Sequence, residues 1–236
     1  MPEPTMKSCE AGAGLRWIAE GWRLFLKAPW TWMGLTLFWL VVLAILNRIP
    51  LIGNIAAIFF HVVFLGGIFL AAEADDRALQ PTFDHAFQIF RHPRLHSLLA
   101  LGVANLLFSI VMAVLFGIGM AGMRGGWPQA FPMVHPAAYL WGLALLTLAI
   151  GYLAAVWFAP LLILFDRLDL IPALKTSFQA VVRNVAPFFL YGLAMTFLSL
   201  IALLPFGIGL LILIPVALLS TYRAWREIFH LGPGLP

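Results

Sequence analysis

The chain has 236 residues, of which 63% are hydrophobic and only 10% charged, and its mean hydropathy is +0.98. A soluble domain carries about 25% charged residues, so this composition cannot coat a water-facing surface, and lipid is the solvent it suits. The net charge of +4 is small and no basic run is interleaved with exposed aromatics, which argues against nucleic acid as a partner. A single cysteine, Cys9, excludes an internal disulfide and a multi-cysteine metal site.

Residues 1–12 read as a flexible cytoplasmic tail in which Cys9 is a bystander; no apolar stretch precedes it, so it is not a lipoprotein signal. Leu15, Ile18, Trp22 and Phe25 then recur at spacings of three and four beside Arg16, Arg23 and Lys27, the pattern of an amphipathic helix lying in the headgroup layer. A bilayer core about 30 Å thick needs roughly 20 apolar helical residues to cross. Residues 30–46 and 51–72 are the first two spans, divided by the break Asn47-Arg48-Ile49-Pro50. A second amphipathic segment follows, in which Thr82 is placed to cap a helix carrying Phe83, Phe87 and Phe90.

The third span, 97–123, is longer than a crossing needs and is weakened at its end by Gly117, Gly119 and Gly122. A polar loop, 124–136, separates it from the fourth, 137–165, in which Pro160 predicts a kink. The third amphipathic segment starts near Pro172 and carries Leu174, Phe178, Val181 and Val185 on one stripe. One straight helix over 185–222 would be about 57 Å long, so Leu204-Pro205-Phe206-Gly207-Ile208-Gly209 is read as a turn dividing it into spans 185–204 and 206–222.

The predicted fold is therefore all-α: one integral membrane domain over residues 1–236, a polytopic bundle of six transmembrane helices arranged as three hairpins, each preceded by an interfacial amphipathic helix. Of the 14 basic residues, only Arg48 and Arg124 fall on one side of these spans. The rest fall on the other, so both termini are expected in the cytoplasm. The amphipathic segments end alike, in Leu26-Lys27-Ala28-Pro29, Phe90-Arg91-His92-Pro93 and Val182-Arg183-Asn184-Val185, and the first and last hairpins share a turn, Ile49-Pro50-Leu51-Ile52-Gly53 against Leu204-Pro205-Phe206-Gly207. A threefold internal repeat follows, its middle copy enlarged by the 124–136 loop.

The run Ala159-Pro160-Leu161-Leu162-Ile163 with Asp166, Ala173-Leu174, Ser177 and Arg183-Asn184, together with Gly21-Trp22-Arg23-Leu24-Phe25 before Pro29, resembles a group of uncharacterised bacterial six-span membrane proteins. That group is in turn similar to the membrane domain preceding the catalytic domain of some glycerophosphodiester phosphodiesterases. The resemblance covers nearly the whole chain and implies a bacterial inner-membrane location with no established activity. The soluble domain that would hold a catalytic site is expected to be absent.

Chemistry is sparse. His85, His92 and His96 with Asp84 are the nearest approach to a metal set, but Pro93 interrupts the helix that would align them, and no metal or cofactor is expected. Gly117-Ile118-Gly119-Met120-Ala121-Gly122 has a GxGxxG outline without the strand and helix that would make it a nucleotide loop. No serine has a nucleophile-elbow context, so enzymatic activity is not expected. Two polar residues fall inside spans, His61 midway along 51–72 and Asn105 within 97–123. They are candidates for a transport or lipid-handling pathway, or for simple bonds between neighbouring spans. The connector 166–184 offers a structural or partner-binding cluster. In it Asp166 is expected to pair with Arg183, Ser177 and Asn184 to bond free backbone groups, and Asp169 to cap the following helix. The functional expectation is a non-enzymatic inner-membrane protein acting in envelope organisation or as a membrane-complex partner; the alternative is a small transporter or lipid-handling protein. Expected partners are membrane lipids with anionic headgroups and another membrane protein.

Overall fold

The computed structural model describes residues 6–76, 81–125 and 136–230. The 124–136 loop and Arg77 fall largely or wholly outside them. Among the described residues every regular element is helical: α1 (Ala13–Lys27), α2 (Pro29–Leu46), α3 (Ile52–Asp76), α4 (Phe83–Phe87) continued by a 3-10 turn (Gln88–Arg91), α5 (Leu95–Gly125), α6 (Pro136–Trp157), α7 (Ala159–Leu164), α8 (Leu170–Arg183), α9 (Val185–Leu203) and α10 (Leu210–Phe229).

Proline sets several of these boundaries. Ala28 precedes Pro29, which disfavours helical backbone at Ala28; it takes φ −146°, and Pro29 opens α2 where its missing N–H costs nothing. The turns after Pro50 and Pro205 share a conformation, since the residue following each proline, Leu51 or Phe206, has φ near +60° (62° and 53°). Lys27, Arg91 and Arg183 are each the last helical residue of their segment, where a cation complements the helix C-terminus.

Among the described residues five helical stretches are long and apolar enough to cross a membrane: Pro29–Leu46, Ile52–Asp76, Leu95–Ala121, Tyr139–Leu164 and Val185–Leu203. The last predicted span, 206–222, is not among them. The turn extends to Gly209, so α10 begins at Leu210 and runs on into Arg223, Arg226 and Glu227. Only about 20 Å of it lies before the first charge, short of a hydrocarbon core. It is also interrupted internally by Pro215, and most of its second half is buried in the protein.

The kink foreseen at Pro160 is a complete break. Proline removes one ladder bond, and the chain separates at Phe158 into α6 and α7. All six residues of α7 are buried, as expected of a helix apolar on every face. α3 packs on α2, α4, α5, α7 and α10 and forms the centre of the bundle with Phe64, Ile68 and Phe69.

The amphipathic segments dock chiefly through small residues beside the predicted stripes, although Phe25 is buried too and Ile18, Leu174 and Val181 pack partly against the core. α1 turns Ala13, Gly14, Trp17, Gly21 and Leu24 inward and leaves Leu15 and Trp22 exposed. α4 buries Ala86 and exposes Phe83 and Phe87; α8 buries Ala173, Thr176, Ser177 and Ala180 and exposes Phe178. Small residues win the inward position because they let backbones touch. A Cβ at Gly14 would stand 2.2 Å from the Pro187 carbonyl oxygen, one at Gly21 2.4 Å from Ser220 Oγ, and one at Gly67 of α3 2.3 Å from the Ala86 carbonyl oxygen. The contacts run around the molecule: α4 lies on α3, α8 on α6 and α7, and α1 on α10 and α9, so the first helix closes against the last.

Candidate functional site

Among the described residues the largest concentration of charge lies where the C-terminal ends of α3, α7 and α10 meet α1. Asp76 accepts from Arg223 Nη1 at 3.0 Å and also pairs with Arg226; Tyr222 Oη lies 3.4 Å away. Arg223 also reaches Glu20 at 3.2 Å. Asp75, whose side chain is 3% exposed, pairs with Lys27 at 3.4 Å. Glu227 accepts from Arg16 at 3.0 Å and from the Trp17 indole at 2.7 Å. The Asp76, Glu20 and Glu227 contacts tie α1 and α3 to α10, whereas Lys27–Asp75 joins α1 to α3.

Asp166 completes the cluster. Its side chain, 9% exposed, accepts from the Trp225 indole at 2.9 Å and lies 3.0 Å from His230 Nε2. The ion pair with Arg183 expected from the sequence is not formed. α8 has 14 residues, which is about 21 Å, and it packs along α6, carrying Arg183 a helix length away from Asp166. Arg183 is exposed and has no ion pair among the described residues.

The cluster borders an open recess of about 480 Å³ lined by Glu73, Asp76, Phe165, Tyr222, Trp225, Arg226 and His230. Phe165 and Trp225 rings are 5.0 Å apart, and His230 lies edge-on to Trp225 at 4.4 Å. Carboxylates, cations and aromatics are present, but no serine, threonine or cysteine nucleophile is in this lining. The arrangement binds helices together and offers a polar recess lined by carboxylates, a cation and aromatic rings.

The other predicted residues are dispersed. Asp169 occupies the N-cap position of α8 but makes no side-chain cap; its carboxylate, 83% exposed, pairs with Arg94 at 3.1 Å. An exposed pair of this kind contributes little. Ser177 is fully buried and bridges the α6–α7 break, accepting the Phe158 N–H at 3.0 Å and donating to the Ala154 carbonyl at 2.8 Å. Asn184 is buried and holds the N-terminal segment: its Oδ1 accepts the Cys9 N–H at 2.7 Å and its Nδ2 donates to the Lys7 carbonyl at 3.2 Å. Lys7 N–H further donates to the Ile228 carbonyl at 2.9 Å. The stretch around Lys7–Cys9, expected to be a free tail, is thus bound to α8 and α10. Burial, with the Glu227 carboxylate nearby, pushes the Cys9 thiol up to about 11.

His61 packs at a tilt against Trp39 with ring centres 5.4 Å apart, and Asn105 accepts from the Tyr152 hydroxyl at 2.6 Å. The two therefore engage different helices, and neither lines the polar cavity. His85 Nδ1 lies 2.9 Å from the Thr82 hydroxyl and His92 Nδ1 accepts the Arg94 N–H at 3.2 Å, so their first ring nitrogens have separate local uses. Gly119 carries the Trp141 indole, whose N–H donates to the Leu115 carbonyl at 3.2 Å; this is close packing of α5 on α6.

Sequence reasoning missed Glu20, Asp75, Asp76, Arg223, Arg226 and Glu227 as a site. The available signal was the acidic run ending α3 and the charges at spacings of three and four after the apolar part of α10. No family model, curated protein or solved structure matches the chain.

Proposed function

We propose that the chain is a six-span protein of the bacterial inner membrane with both termini in the cytoplasm, acting by contact at the cytoplasmic leaflet rather than by catalysis. It is organised as three copies of an in-plane helix and a hairpin, and it serves envelope organisation or the assembly of a membrane complex. The observation that carries this reading is the double-faced character of α1, α4 and α8. Each buries small residues against a span and presents an apolar stripe outward: Leu15 and Trp22, Phe83 and Phe87, Phe178 and Val182. Such stripes suit the boundary between headgroups and acyl chains.

The ion pairs support the orientation. They gather at the ends of α3, α7 and α10, the side on which the sequence concentrates lysine and arginine. In this reading the apolar part of α10 makes a shorter sixth crossing packed against α9 and α1, and its arginines pair with Asp76 and Glu20 where it leaves the bilayer.

The test is depth-dependent quenching. In a Cys9→Ser background, an environment-sensitive fluorophore on a cysteine at Phe87 or Phe178 should be quenched by brominated acyl chains and shielded from aqueous iodide. Free iodide quenching at both sites, with no effect of brominated lipid, overturns the in-plane reading.

A further inference from the structure

A second cavity, unrelated to the polar cluster, lies between α9 and α10. These helices touch beside their turn, where a Cβ on Gly209 would stand 2.7 Å from Ala202 Cα. They meet again where the Tyr191 hydroxyl donates to the Ala217 carbonyl at 3.3 Å. Between these points they part, and α1 crosses one end. The resulting groove has a volume of about 730 Å³ and includes Ala194 and Leu198 of α9, Leu213 of α10, and Ile18 and Trp22 of α1 in its walls.

Its chemistry and length select the occupant. The lining has no ionisable side chain, and its one polar handle is the Trp22 indole. A polar solute would therefore lose its hydration without compensation. The α9 wall from Ala194 to Pro205 is about 16 Å long, and the groove is open along its side, so an extended hydrocarbon chain can lie in it against the apolar wall. At the α1 end stands Arg23, one turn beyond the lining residue Ala19 and on the same side of the helix. Arg16 and Lys27 of α1 pair with Glu227 and Asp75, but Arg23 is exposed and has no ion pair among the described residues.

We propose that this groove holds one acyl chain of an anionic phospholipid of the cytoplasmic leaflet, with Arg23 facing the phosphate and Trp22 at the level of the glycerol. The proposal rests on the membrane-spanning reading above. An acyl chain covers apolar wall that would otherwise be left partly empty, and the guanidinium meets the phosphate through charge-assisted hydrogen bonds.

The experiment uses the full chain in nanodiscs of phosphatidylcholine and phosphatidylglycerol, ejected into a native mass spectrometer. The wild type should retain one phosphatidylglycerol. Leu198→Trp, which fills the groove, should lose it while remaining monodisperse. Arg23→Glu, at an exposed position, should keep a lipid but lower the preference for phosphatidylglycerol over phosphatidylcholine about tenfold, the effect of one charge-assisted hydrogen bond. Unchanged retention in Leu198→Trp, an unchanged preference in Arg23→Glu, or a second copy of the chain in place of the lipid overturns the proposal. Alkaline carbonate extraction separates the two levels of the argument. A chain that stays in vesicles but holds no lipid refutes the groove alone, whereas a chain released from them refutes the membrane reading and the groove with it.

Discussion

Replacing Ser177 with alanine tests how the buried break in the bundle is held. Residues 154 and 158 stand four apart, the spacing a continuous helix would bond directly. In this protein the Ser177 hydroxyl stands between them, 2.8 Å from the Ala154 carbonyl oxygen and 3.0 Å from the Phe158 nitrogen. Ser177→Ala leaves a donor and an acceptor facing a gap, and Pro160, with no N–H for the Val156 carbonyl, keeps the ladder from closing across the break. An unmet buried polar group costs about 1–3 kcal/mol, while hydrogen bonds inside membrane proteins average about 0.6 kcal/mol because the alternative states also find partners. Two groups are affected and Ser177 is fully buried against α6, so the expected loss is about 2 kcal/mol. For a chain of this size about 1 kcal/mol moves Tm by 2–4 °C, which puts the expected drop at about 4–8 °C. Heating in mild detergent followed by size-exclusion chromatography measures it. Ser199→Ala is the control, since the Ser199 hydroxyl only donates back to the Met195 carbonyl of its own helix at 2.7 Å. If Ser177→Ala melts within a degree of wild type, the hydroxyl does not hold the break.

Other expectations follow from the same geometry. The Cys9 thiol, held at about 11 against an ordinary 9.0, is protonated at neutral pH; two units leave about a hundredfold less thiolate. Maleimide labelling should therefore be slow at pH 7.5 and keep rising with pH beyond 9. Asn184→Ala should accelerate it by freeing the Lys7–Cys9 stretch; wild-type labelling at the denatured rate would show that this stretch is not bound. Asp166→Arg should lower folded yield, Arg183→Asp should change stability by no more than about 0.5 kcal/mol, and the double reversal should give no rescue. Recovery in the double variant would mean that the two residues do meet. Gly14→Ala, whose Cβ would meet the Pro187 carbonyl oxygen at 2.2 Å, should reduce monodisperse yield, whereas Gly12→Ala, with nothing within 4 Å, should not. Cysteine at Arg48 should react with an impermeant reagent in intact spheroplasts, while cysteine at Lys175 or Arg226 should react only after permeabilisation; labelling of Lys175→Cys from outside would invert the topology.

Much of the local architecture was legible in the residues. Apolar runs of bilayer length define five of the helices because only a closed backbone ladder survives in lipid. Pro29, Pro50 and Pro205 mark boundaries because proline constrains its own φ and its neighbour's backbone. The shared Lys27, Arg91 and Arg183 endings coincide with real helix ends. Hydropathic periodicity could say that Leu15, Ile18, Trp22 and Phe25 share a face, of which Phe25 is the buried member. It could not say that the face carrying Gly14 and Gly21 is the one that docks, because glycine and alanine are nearly silent on a hydropathy scale while being the residues that permit backbone contact. The charge cluster was illegible for a different reason. Asp76 and Arg223 are 147 residues apart, and Asp166 and Arg183 are close in sequence yet separated by the length of α8. Local pattern determines which segments are helices and where they stop. Which charges meet depends on how rigid helices of fixed length dock, and that was settled only when α1 closed against α10.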